Sequence, residues 1–114
     1  MMLPMLTATL KALLPCALIL LTGFPFLKER PAAKLHRVEI VQMKFSPSSL
    51  SVQPGDTVVF VNLDVVTHDV TEASGKSWRS PPLAAKDSWK KVVRTSANYY
   101  CSFHPVMKGT ITVQ

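Results

Sequence analysis

The chain has 114 residues, 47% of them hydrophobic, and a formal net charge of +6. This length fits a single domain. The positive charges are scattered, with only Lys90 and Lys91 adjacent, so the sequence excludes the dense basic patch that binds nucleic acid. The charge favours, at most, an acidic surface on a protein partner.

An apolar run at residues 12–27 opens the chain, and basic residues flank it on both sides. The run is long for the core of a signal peptide and short for a membrane span, and Pro15 and Pro25 disfavour a buried core helix. We predict a hydrophobic N-terminal helix in residues 1–33 that acts as an export signal or membrane anchor. The protein would be periplasmic, either soluble or tethered to the inner membrane through residues 12–27 by an uncleaved leader.

Residues 34–114 form the predicted folded domain, in which short apolar alternations follow one another without an amphipathic helix pattern. The first predicted strand is Leu35 to Phe45, with a β-bulge where the apolar phase slips at Met43. A loop is predicted from Glu72 to Lys86. The other predicted strands are residues 50–52, 57–62, 65–71, 87–94, 98–101 and 110–113. Several short strands at close spacing predict an all-β sandwich.

The segment after Tyr100 combines three metal-ligating side chains at regular spacing: Cys101, His104 and Met107. A second imidazole, His68, stands well before them in a predicted strand. One thiolate, two imidazoles and a weakly bound thioether are the ligands of a blue-copper electron-transfer site. We therefore predict a copper ion bound by these four residues.

Cys101 is the one cysteine of residues 34–114, so this domain has no internal disulfide. An unpaired thiol in an exported domain calls for an explanation, and metal ligation is one. An inert buried cysteine is the alternative. The nearby histidine and methionine favour the metal.

Several sequence blocks resemble the cupredoxin family, the type 1 blue copper proteins of the plastocyanin/azurin superfamily. These blocks are Phe45-Ser46-Pro47, Leu50-Ser51-Val52, Pro54-Gly55-Asp56-Thr57-Val58, Phe60-Val61-Asn62, His68-Asp69-Val70 and the C-terminal Cys101, His104, Met107, Gly109, Ile111 and Val113. The short Cys-x-x-His-x-x-Met loop, with Pro105 after the histidine, is most similar to that of the amicyanins.

This resemblance implies a monomeric, cupredoxin-like Greek-key β-sandwich with one ion cycling between Cu(I) and Cu(II). His68, Cys101 and His104 would be the equatorial ligands and Met107 the axial one. The protein would carry single electrons between protein redox partners. Where relatives often have an asparagine that ties the ligand loops together, this chain has Asp69, whose carboxylate would favour Cu(II) and lower the potential.

Other functions remain as alternatives. A copper carrier or chaperone would hold the ion in an exchangeable site, although such sites tend to be Met-rich or Cys-x-x-Cys. An oxidase needs a cluster of His-x-His pairs, which three histidines cannot build, so we predict that the protein is not an enzyme. Zinc is disfavoured because it prefers N, S and O ligands without a thioether.

Overall fold

The computed structural model describes residues 2–5, 11–20 and 22–114. In this part of the chain all regular structure is β, which confirms the predicted all-β class. The strands are β1 Leu35–Val41, β2 Lys44–Ser46, β3 Ser49–Val52, β4 Thr57–Asn62, β5 Thr71–Glu72, β6 Ser88–Val92, β7 Ala97–Tyr100 and β8 Lys108–Val113.

Two four-stranded sheets make up the domain, with strand orders β2-β1-β4-β6 and β3-β8-β7-β5. Each sheet is mixed, because β1 pairs with β4 and β3 pairs with β8 in parallel. Their inner faces meet in an aromatic cluster, where Tyr99 of one sheet contacts Phe45 and Phe60 of the other edge to face. Burial of these rings is a large part of the apolar contact that holds the sheets together.

The first predicted strand is in fact a β-hairpin, so the prediction of a bulge was wrong. β1 and β2 are antiparallel, and Gln42 and Met43 form the two-residue turn with φ angles of 50° and 62°. Positive φ at both central positions is the geometry that matches the twist of paired strands. The apolar phase slips because Ile40 and Phe45 lie opposite each other on neighbouring strands.

The predicted strand at residues 65–71 is also largely wrong. Only Thr71–Glu72 is a strand there, and His68 lies in an irregular segment that forms one isolated bridge with Leu83. The predicted loop from Glu72 to Lys86 pairs with other segments at several points: Arg79 bridges Thr71, Leu83 bridges His68, and the Lys86 N–H donates to the Asn62 carbonyl. The segment carrying His68 is therefore held by a neighbouring segment and not by a regular strand.

The N-terminal segment has no helix or strand at residues 11–20 and 22–34, and its large apolar side chains are exposed. The helix predicted in residues 1–33 is thus not observed in the described part of that stretch; positions 1, 6–10 and 21 lie outside the described residues. Nor does any described helix have the length and apolar character needed to cross a membrane. The export signal or anchor stays a prediction.

Candidate metal centre

The loop that joins β7 to β8 places three of the four predicted ligands. His104 N–H donates to the Cys101 carbonyl at 3.1 Å, and Met107 N–H donates to the His104 carbonyl at 2.9 Å. Each such turn brings residues three apart close together. Cys101 N–H then donates to the Met107 carbonyl at 3.1 Å and closes the loop. The Cys-x-x-His-x-x-Met spacing is therefore the spacing of two successive turns.

His68 reaches this loop from a separate segment of the chain. Its N–H and carbonyl both pair with Leu83, at 3.1 and 2.7 Å. The next residue, Asp69, donates its N–H to the Cys101 sulfur at 3.4 Å. These backbone contacts fix the His68 ring beside the thiol of Cys101.

The three nitrogen and sulfur donors converge. Cys101 Sγ lies 3.7 Å from His68 Nδ1 and 3.8 Å from His104 Nδ1, and all three donor atoms are within 4.8 Å of one another. Ligands about 2.0–2.3 Å from one metal ion in a trigonal set stand roughly 3.5–4.0 Å apart. Both sulfur–nitrogen distances therefore fit donors that share a single ion, and the chemistry of the three donors fits copper.

Met107 is buried, with 2% of its surface exposed, and belongs to the hydrophobic core cluster that also contains Cys101. The turn hydrogen bond to His104 and the loop-closing bond to Cys101 fix its backbone. The thioether is therefore buried within the protein. This position is compatible with the weak axial ligand predicted from the sequence.

Asp64 holds the other side of the His68 ring, a contact that the sequence did not predict. Its Oδ2 lies 2.8 Å from His68 Nε2. Because an ionised carboxylate only accepts hydrogen bonds, Nε2 carries a proton, and in the neutral ring this leaves the lone pair on Nδ1, the nitrogen that faces the thiol. The same carboxylate accepts the N–H groups of Gln42 and Met43 at 2.7 and 2.9 Å. Burial raises the pKa of Asp64, but the donors from Met43, His68 and Gln42 outweigh it and lower the pKa below its usual value.

Asp69 lies directly beside the centre and is completely buried. Its carboxylate accepts the Ser102 N–H at 2.7 Å, the Ser102 hydroxyl, and the Arg79 Nη2 at 2.9 Å. Burial alone would raise the pKa of this carboxyl, but the hydrogen bonds from Ser102 and the pairing with Arg79 lower it. Asp69 is therefore ionised at neutral pH and is paired with a cation.

Among the four predicted ligands, only His104 reaches the surface. His68 and Cys101 are fully buried, and Met107 is nearly so. Phe103 and Val106 beside it are exposed, the latter at 88%. Val65 and Val66, in the segment that leads to His68, are exposed as well. Both ligand-bearing segments thus present apolar side chains to solvent.

The structure brings the donor atoms of His68, Cys101 and His104 together, whereas the third histidine of the sequence, His36, pairs with Asp56 at 2.8 Å. Asp64 and Arg79 were missed. A carboxylate buried beside the ligands needs a cationic partner. The sequence alone does not show which of the scattered basic residues is that partner.

A family profile described as copper-binding proteins of the plastocyanin/azurin family matches residues 32–114. The chain belongs to this family. The predicted membership in the cupredoxins is thereby confirmed, and the family and the donor set together confirm the predicted copper ion.

Individual relatives agree with the predicted likeness to amicyanin. The chain is 30% identical over 83 residues to amicyanin of Paracoccus denitrificans, covering 68% of this chain and 63% of that protein. It therefore spans less than two thirds of that relative's length.

Among solved structures, the purple cupredoxin of Nitrosopumilus maritimus is similar with a TM-score of 0.63 and 29% identity, covering 69% of this chain and 99% of that one. The copper-containing nitrite reductase of Thermus scotoductus is similar with a TM-score of 0.65 and 28% identity over 75% of this chain. This chain covers only 23% of that reductase, so the likeness is to one part of a larger protein.

Proposed function

We propose that this cupredoxin carries single electrons between protein redox partners, with one copper ion bound by His68, Cys101, His104 and Met107. The convergence of Cys101 Sγ with two imidazole nitrogens at 3.7 and 3.8 Å carries this proposal. Copper supplies the one-electron Cu(I)/Cu(II) couple. The protein supplies donors that are acceptable to both oxidation states and holds them still.

Rigidity comes from the contacts that hold Cys101, His104 and His68 in place. The turns of the 101–107 loop set Cys101 and His104, while Asp64 and Leu83 set the ring and backbone of His68. A preorganised donor set leaves little to rearrange when the charge at the centre changes, which favours fast electron transfer. The exposed part of His104, with the apolar Phe103 and Val106 beside it, is the proposed surface on which a partner docks.

The burial of three of the four proposed ligands argues against the alternative of a copper carrier. A carrier must release its ion to another protein, and release is easiest from exposed, exchangeable donors. Here His68 and Cys101 are fully buried and Met107 is 2% exposed. Electron transfer requires only that a partner come close to the ring of His104, whereas ion delivery requires the whole centre to open.

Location and assembly are part of this proposal. We infer that residues 1–33 direct the chain to the periplasm and that residues 34–114 act there as a monomer, either free or tethered. The support is that the apolar side chains of residues 12–20 and 22–27 pack on nothing described, while the core cluster lies entirely between Val38 and Ile111. We also infer that the protein has no enzymatic activity of its own, because its three histidines cannot form the His-x-His cluster of a copper oxidase.

The test is optical titration of the chain with Cu(II). The proposal predicts an intense blue absorption at one copper per chain, reversibly bleached by ascorbate. Cys101→Ser should abolish the colour because the thiolate is lost, whereas Met107→Leu should keep bound copper and change the reduction potential. Cys16→Ser, which removes an exposed thiol outside the folded domain, is the matched control and should stay blue. A colourless complex that passes copper rapidly to a chelator would instead support the carrier.

A further inference from the structure

The carboxylate of Asp69 connects the two segments that carry the proposed ligands. Asp69 follows His68, and its Oδ1 accepts the N–H of Ser102, the residue after Cys101, at 2.7 Å. Its other oxygen accepts the Ser102 hydroxyl. In addition, the Asp69 N–H donates to the Cys101 sulfur at 3.4 Å. One residue therefore joins both segments through its backbone and its side chain.

This carboxylate is 0% exposed, and a buried charge is costly unless it is paired and hydrogen-bonded. Arg79 is its cation. Arg79 Nε and Nη2 lie 3.2 and 2.9 Å from Asp69 Oδ2, and Nη2 also donates to Ser102 Oγ at 2.8 Å. The guanidinium thus contacts both of the groups that tie the ligand segments together.

The backbone around Arg79 is itself held against the segment of His68. Arg79 forms an isolated bridge with Thr71, and the Ser80 N–H donates to the Val70 carbonyl at 2.8 Å. Trp78 anchors the segment from the other side by packing against Trp89 and Tyr99. These contacts therefore fix the backbone that carries the Arg79 guanidinium.

We propose that Arg79 is a positioning residue for the metal centre, which acts through Asp69 and Ser102 to hold the two ligand segments together and to offset the charge of the buried carboxylate. This inference rests on the proposed function. A lone carboxylate beside the ion would favour Cu(II), whereas a guanidinium paired with it opposes that effect. The planar fork of arginine reaches Asp69 and Ser102 together, which a lysine ammonium does not do in the same way.

The experiment is a double-mutant cycle with Arg79→Gln, Asp69→Asn and the double variant, read as reduction potentials by voltammetry of the copper-loaded chain. Arg79→Gln should lower the potential, with the affinity ratio of Cu(II) over Cu(I) rising about tenfold, equivalent to about 59 mV for one electron. In the Asp69→Asn background the same change should have little effect, because the guanidinium has lost its partner. Equal shifts in both backgrounds, or none in either, would overturn the proposal.

Two further variants separate charge from geometry. Arg79→Lys keeps the charge and should bring the potential back toward that of the parent, but it should leave the unfolding midpoint lowered because the fork is lost. Arg37→Gln is the matched control, since Arg37 is also 55% exposed and pairs with Glu39 on the other sheet. It should leave the potential unchanged. A potential for Arg79→Lys as low as that for Arg79→Gln would contradict the offset of charge.

The same cycle on copper-free protein tests the clamp, meaning the contacts of Arg79 with Asp69 and Ser102 that hold the two ligand segments together, without any metal. Thermal unfolding should show a loss for Arg79→Gln that is much smaller in the Asp69→Asn background, because the two residues are coupled. Additive losses would overturn the clamp even in a protein that turns blue. A parent that does not turn blue but shows coupled losses would overturn the proposed function and leave the clamp standing, so the two failures are distinguishable.

Discussion

At the scale of single residues, the two ring nitrogens of His68 have different partners. Nδ1 faces the Cys101 sulfur, and Nε2 is hydrogen-bonded to the carboxylate of Asp64. Asp64 bonds to Nε2 at 2.8 Å, so the ring cannot turn over or change its tautomer without losing that contact. Loss of such a partner of a ligating histidine typically lowers metal affinity about 10–100-fold. Asp64 is therefore part of the centre although it touches no metal.

Asp64→Asn should weaken copper binding about 10–100-fold, because an amide holds the imidazole N–H less strongly than a carboxylate does. Competitive titration with a chelator measures this change. Asp87→Asn is the control, since Asp87 likewise accepts a backbone N–H in a turn, that of Ala84 at 3.0 Å, but touches no ligand. Equal affinities for the two variants would show that Asp64 has no role in binding.

Sequence patterns predicted the donors and missed their supports, for a physical reason. Cys101, His104 and Met107 share one short loop, so their spacing alone determines that they lie close together. Asp64 and Arg79 meet the centre only because irregular segments fold back on it, and such segments leave no periodic signal. His68 lies between these cases: its type was informative, while its predicted strand was wrong.

At the scale of the structural elements, β7 and β8 make one close side-chain contact, in which the ring of Tyr99 lies against Gly109. Gly109 lies opposite Tyr99 in the register of the two strands. A Cβ added at Gly109 would stand 2.2 Å from the nearest carbon of the Tyr99 ring. Tyr99 is buried in the aromatic cluster, and burial raises the pKa of its hydroxyl. Glycine at this position thus leaves the room that the ring of Tyr99 occupies beside the neighbouring strand.

Gly109→Ala should lower the free energy of unfolding by about 1–3 kcal/mol, the usual cost of overpacking a core. Urea unfolding of the copper-free protein measures this loss. Gly75→Ala is the matched control, because nothing lies within 4 Å of a Cβ at that position. A Gly109→Ala variant as stable as the control would mean that Tyr99 moves aside without cost.

The hairpin of β1 and β2 shows where element prediction failed. A slip in apolar phase is produced equally by a bulge and by a two-residue turn, and Gln42-Met43 lacks the Asn-Gly or Asp-Gly signature of such turns. The structure stabilises the turn from outside, through the Asp64 carboxylate that accepts both of its N–H groups. A long-range contact thus replaces the local signal.

At the scale of the whole molecule, two buried carboxylates whose hydrogen bonds involve none of the proposed ligands make stability depend on pH. Asp56 accepts the Lys34 N–H, the His36 ring and the Gln53 N–H, which lower its pKa to about 2. The Ser74 hydroxyl and the N–H groups of Gly75, Ser74 and Ser77 lower the pKa of Glu72 to about 2 as well.

Because both folded pKa values lie below the ordinary values of 3.8 and 4.5, the stabilising effect is complete above those values and is lost as the pH falls toward 2. Copper-free protein should therefore lose thermal stability between about pH 4.5 and pH 2. Asp56→Asn should be less stable at pH 7 and show a shallower decline. A decline as steep as that of the parent would remove Asp56 from this effect.

The order in which the donors occur along the chain also determines when they become available during synthesis. His68 leaves the ribosome 33 residues before Cys101, and both His104 and Met107 follow the thiol. A nascent chain that ends between His68 and Cys101 therefore offers one imidazole of the centre and neither of its two sulfur donors, which is too little to hold copper there. The four-donor centre can therefore assemble only after the chain has been translated through Met107.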